Sequence, residues 1–138
     1  MRKLLIITAL LLFAGVSFGQ TLNKGGVISI HEWTLKLNPD VSMNQFLEFW
    51  KENAVPVFEK AIPGSTAVIL KGIREDNKYE YAGLYYYNSL DDFRKYWKED
   101  GTPTEVGAAA SEKFGPIMEG ISKFGDFTYS AKDWIILE

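Results

Sequence analysis

His31 is the only histidine among 138 residues, and there is no cysteine. Acid–base chemistry near neutral pH therefore falls to one imidazole, the only side chain that titrates there unperturbed. Two residues on stands Trp33, so in an extended run the imidazole and an indole share one face of a strand. His31 is the candidate general base. A base works best with a third group to orient it, and its own motif supplies none. Glu32 and Asp133 are carboxylates inside otherwise apolar runs, each able to serve only if the fold brings it near. Without such a partner, His31 is a strand histidine bonded to a neighbour.

Phenols are the second resource. Tyr79, Tyr81, Tyr85 and Tyr87 alternate along one run, with Gly83 leaving a gap in the row. Phenol rings on one strand face can line a pocket for a flat, partly polar ligand, each hydroxyl offering one hydrogen bond. Tyrosines equally favour strands and subunit interfaces, so the same row also reads as interface packing. The gap at Gly83 favours a cavity, since a missing side chain leaves room. The ligand-binding candidates are His31, Trp33, Tyr81, Tyr85 and Tyr87.

Other chemistries drop out on residue counts. One histidine and no cysteine exclude multi-histidine metal sites, zinc ribbons and thiol catalysis within one chain. No G-x-S-x-G elbow, phosphate-cradling loop or dinucleotide fingerprint is present. No metal and no cofactor is expected.

These residues need elements to hold them. Val27 to Leu37 reads as a strand, with Val27, Ser29, His31, Trp33, Leu35 and Leu37 on one face and Ile28, Ile30, Glu32, Thr34 and Lys36 on the other. Both faces carry apolar residues, as in a strand covered on both sides. Asn38-Pro39-Asp40 breaks it, and Ser42 with Gln45 forms a capping box. The helix that follows buries Phe46, Phe49, Trp50, Val57 and Phe58, with a kink expected at Pro56. Thr66–Arg74 and Tyr79–Tyr87 form a hairpin around the polar turn 75–78. Ser89 and Asp92 cap a short helix carrying Phe93, Tyr96 and Trp97. Asp91-Asp92 there suits the positive end of the helix dipole and needs no catalytic explanation. After Gly101, Thr102 as cap, Pro103 at the first helical position and Glu105 start another helix. That helix presents Val106, Ala110, Phe114, Ile117, Met118, Ile121 and Phe124, and Gly107–Ala110 suggests close packing. Phe127–Leu137 is a last strand. The order is β-α-β-β-α-β: an α+β, ferredoxin-like fold with a four-stranded antiparallel sheet, helices on one face and the second helical region split in two.

The chain opens with Arg2 and Lys3, an apolar run from Leu4 to Ala14, and Ser17-Phe18-Gly19 before Gln20. That is the pattern of a secretory signal peptide, and the run is short of the roughly 20 residues of a span. Residues 1–19 are expected to be removed, 20–26 to form a flexible leader and 27–138 to form the domain. The expected place of work is the periplasm or the exterior, with no membrane attachment after cleavage. Without Arg2 and Lys3, 13 basic residues face 18 acidic ones, a balance unsuited to nucleic acid or anionic membranes.

Tyr87-Asn88-Ser89-Leu90-Asp91-Asp92-Phe93 resembles the strand-to-helix junction of the dimeric α+β barrel superfamily. This group includes antibiotic-biosynthesis-monooxygenase-like, haem-degrading and NIPSNAP-like proteins. His31-Glu32-Trp33-Thr34-Leu35-Lys36, leading to Phe46-Leu47-Glu48-Phe49-Trp50, is similar to its first strand and helix. The resemblance spans roughly residues 27–137. It implies a homodimer joined through the sheet faces opposite the helices, and a pocket between sheet and helices in each subunit. Haem-degrading members flank that pocket with an Asn, a Trp and a helix His. The matching positions here are His31, Tyr87 and about Trp97, none of which agrees, so haem degradation is not implied. The leading expectation is an exported domain that binds a flat, largely apolar molecule. The alternatives are a cofactor-independent monooxygenase and a structural dimer without ligand.

Overall fold

A computed structural model describes residues 22–74 and 80–137. The expected signal peptide lies outside the described residues, as do Tyr79 and the turn 75–78. Strand β1 is Val27–Leu37, β2 Ser65–Lys71, β3 Tyr81–Tyr87 and β4 Gly125–Ile135. All pair antiparallel in the order β2-β3-β1-β4, with β1 and β3 central. This is the ferredoxin-like arrangement read from the sequence, with the helices on one face.

Ser42 caps helix α1, Met43–Phe49, through the expected box: its Oγ accepts from the Gln45 N–H, and Gln45 Oε1 accepts from the Ser42 N–H at 2.8 Å. The disturbance expected at Pro56 takes the form of a π-helical turn, Trp50–Ala54, before α2, Val55–Ala61. The Val55 N–H reaches back five residues to the Trp50 carbonyl. Widening the ladder there relieves the clash a proline ring makes with the turn before it.

The second helical region departs further from expectation. Helix α3, Leu90–Arg94, is capped by Ser89 as read. The next helix, α4, spans Glu105–Glu112 and takes Thr104 as its cap, not Thr102; the Thr104 Oγ1 accepts from the Gly107 N–H at 3.0 Å. Asp100 explains the shift. Its carboxylate accepts from both the N–H and the hydroxyl of Thr102, locking that residue in a turn. Gly115-Pro116 then interrupts the ladder, so α4 is followed by a separate α5, Gly115–Ser122. Val106 and Met118 are exposed. The close packing read into Gly107–Ala110 is present: a Cβ at Gly107 would collide with the Tyr96 carbonyl. Residues 23–26 of the expected flexible leader form a turn, with the Asn23 N–H on the Tyr86 hydroxyl at 2.8 Å and Gly25 and Gly26 bonded to Ile136.

The layer between sheet and helices holds two clusters. One gathers Trp33, Phe46, Trp50, Ala54 and Ile121; the other Phe58, Tyr85, Tyr87, Phe93 and Ala110. Phe46 is fully buried, its ring against those of Trp33, Trp50, Phe124 and Phe127.

Candidate functional site

Where the two clusters meet they do not close. A cavity of about 290 Å³ lies there, lined by Trp33, Trp50 and Ala54 from one side and Phe58 and Tyr85 from the other. His31 and Tyr129 border it from the sheet, and Trp97, Phe114, Ile117 and Met118 from the helical layer and its connections. Among the lining residues there is no Lys, Arg, Asp or Glu. The π-helical turn contributes Trp50 and Ala54, so the local answer to Pro56 also shapes the wall.

His31 sits in this wall between two phenols. Its ring stacks on Tyr129 (centroids 4.7 Å apart, planes 4° from parallel) and meets Tyr85 obliquely at 4.5 Å. Its Nε2 lies 3.1 Å from the Oγ of buried Ser29. Burial lowers its pKa to about 4, the nearby Asp133 charge opposing but not balancing that effect. The imidazole is therefore neutral at physiological pH. Asp133 faces Ser29 across the β1–β4 ladder but makes no hydrogen bond to His31 among the described residues. Glu32 points to the other face of the sheet, where its carboxylate pairs with Lys132 at 2.8 Å. Neither carboxylate orients the histidine.

Gly83 is the cross-strand partner of His31. The space it leaves is not empty, since a Cβ there would lie 3.1 Å from the hydroxyl and a ring carbon of Tyr85. The Tyr85 ring folds back over its own strand into that gap, which brings it against His31 and Phe58.

Of the five candidate ligand-binding residues, His31, Trp33 and Tyr85 line the cavity; Tyr81 and Tyr87 do not. The Tyr87 hydroxyl accepts from the Trp97 indole N–H at 3.0 Å, so it holds a wall residue from behind. Burial pushes its pKa up. Tyr81 lies at the far end of the row, under the Lys71 ammonium, beside an open groove with Leu47 and Ile69. Residue spacing put the tyrosines on the correct face but not at the correct depth. Tyr129 was missed, although strand alternation from Phe127 places it on the His31 side. Asp92 accepts from Lys95 and Ser89, which hold its pKa down, and takes no part in the cavity.

No family model and no curated protein matches the sequence. Among solved structures, the chain is similar to SnoaB, a cofactor-independent oxygenase from Streptomyces nogalater, at 16% identity and a TM-score of 0.51; the match covers 83% of this chain and 95% of that one. It is also similar to a dabb family protein with a ferredoxin-like fold from Mesorhizobium loti, at 14% identity and a TM-score of 0.52, over 83% of this chain and all of that one (100%). At these identities the likeness is one of fold, and at that level the resemblance carried by the Tyr87–Phe93 junction holds.

Proposed function

We propose that this protein is an exported, homodimeric binder of a small, flat, largely apolar molecule, held between the sheet and the helices. The observation that carries the reading is the cavity itself, apolar and walled by aromatic rings, with one neutral imidazole set into it. A cavity of roughly 150 Å³ takes up benzene; one of about 290 Å³ suits two fused rings. Export rests on the basic start and short apolar run of residues 2–14. The dimer is supported by Val68, Leu70 and Trp134, apolar and exposed on the face of the sheet that no helix covers.

Calorimetric titration with a panel of one- to three-ring aromatics tests the binding. The expected result is saturable binding of a bicyclic member at one per chain, weakened at least tenfold by Ala54→Leu, which fills part of the void. Binding that Ala54→Leu leaves untouched, or no binding across the panel, contradicts the proposal.

The likeness to SnoaB supports a second reading, cofactor-independent oxygenation. The electrostatics weigh against it. Burial holds the His31 pKa near 4, which makes the imidazole a weak acceptor for a quinol proton whose ordinary pKa is ~10. Oxygen uptake with quinols above the rate without protein would restore this reading; no increase is expected.

A further inference from the structure

Among the described residues, no buried side-chain nitrogen or oxygen lacks a hydrogen-bond partner. The Tyr85 hydroxyl is therefore a telling case. Tyr85 is 7% exposed, and no hydrogen bond of its hydroxyl is formed with any described residue. Its neighbour Tyr87, equally deep, has the Trp97 N–H. An oxygen that is neither bonded nor sealed must reach open space, and the open space Tyr85 borders is the cavity. Burying a hydroxyl without a partner is costly, and Gly83 is what allows the ring to lie there. The same wall offers His31, whose ring is 4.5 Å away; its Nε2 is engaged with Ser29, while its Nδ1 forms no hydrogen bond with a described residue, so the Tyr85→Phe comparison below separates the two groups. No cation stands in the lining to balance a ligand's negative charge.

We propose that the Tyr85 hydroxyl is the recognition group of the cavity, reading one uncharged oxygen, a carbonyl or hydroxyl, on the edge of a flat apolar ligand and turning away its carboxylate analogue. This rests on the binding reading above and specifies its chemistry. Tyr85 donates to that oxygen, or accepts from it if it is a hydroxyl. The aromatic walls hold the ring system and carry most of the affinity. An ionised carboxylate would enter with no counter-charge, at a desolvation cost that one phenol does not offset.

Three matched probes test it: 2-methylnaphthalene, 2-naphthol and 2-naphthoate, titrated into the wild-type chain and into Tyr85→Phe. This substitution removes only an unbonded oxygen and leaves the ring contacts in place. The wild type should prefer 2-naphthol over 2-methylnaphthalene by about 2- to 10-fold, the range of one neutral hydrogen bond, and bind 2-naphthoate at least tenfold more weakly than either. Tyr85→Phe should bring the first ratio to about one while 2-methylnaphthalene binds as before. A preference that survives in Tyr85→Phe overturns the assignment to Tyr85 but leaves the cavity a binding site. Tighter binding of 2-naphthoate than of 2-naphthol overturns the charge selection. If no probe binds the wild type, the binding reading falls, and this inference falls with it.

Discussion

His31 and Glu32 are adjacent in β1, yet they live in different solvents. His31 faces the helices, loses its water and stays neutral, its pKa near 4. Glu32 faces the bare side of the sheet, its carboxylate 2.8 Å from the Lys132 ammonium. The same alternation runs through the molecule. The covered face carries Trp33, Tyr85 and the ring-packed core; the bare face carries Val68, Leu70 and Trp134, apolar and exposed. A strand period of two has made two surfaces, one enclosing an apolar cavity and one apolar and exposed. The difference teaches that the same strand sets His31 in a desolvated wall and Glu32 in an exposed ion pair.

Deleting an aromatic ring from each side of the sheet separates the two most sharply. Phe46→Ala, in helix α1 against the covered face, should cost about 3–5 kcal/mol of stability in denaturant unfolding, because four rings lose their shared neighbour. The His31 environment should then show as a pH dependence. An unfolded imidazole takes up its proton near pH 6.5 and the folded one near 4, so between those values the unfolded chain binds more protons. Stability is full above pH 6.5, falls as pH drops towards 4, and loses nothing further from this group below that. The difference of 2.5 units corresponds to about 3 kcal/mol at ~1.36 per unit. Thermal unfolding from pH 7 to 4 should show that loss in the wild type and not in His31→Phe.

Gly83→Ala should act more gently, at about 1 kcal/mol, by pushing the Tyr85 ring out of its gap. Unaltered probe binding in this variant would mean that the ring's position over Gly83 is incidental. Smallest in stability is Trp134→Ala on the bare face, within ~0.5 kcal/mol for the isolated chain. Trp134 is 60% exposed, so its loss should appear instead as a shift from dimer to monomer in sedimentation.

Much of this was legible in the residues because strand alternation and capping are local. Val27–Leu37 matches β1 at both ends, and Ser42 and Ser89 cap the helices they were assigned. The failures came where a longer-range or competing partner decided the outcome. Asp100 captured Thr102 and passed the cap to Thr104. Gly115-Pro116 divided a helix whose apolar spacing ran on unbroken. For the site, parity put His31, Trp33 and Tyr85 on one face. Which of the tyrosines reached the cavity depended on β-sheet register and on where the helices left a gap. That gap arises from the packing of α2, α4 and α5, which no single segment encodes.

The single histidine makes the decisive measurement unambiguous. Nitrogen-15 NMR of the imidazole, followed from pH 7 to 3.5 with and without saturating 2-naphthol, reports the covered face directly. A neutral ring down to about pH 4, with resonances that move when 2-naphthol binds, is the predicted result. A ring that titrates near 6.5 and ignores the probe would contradict both the desolvated site and its use as a binding cavity.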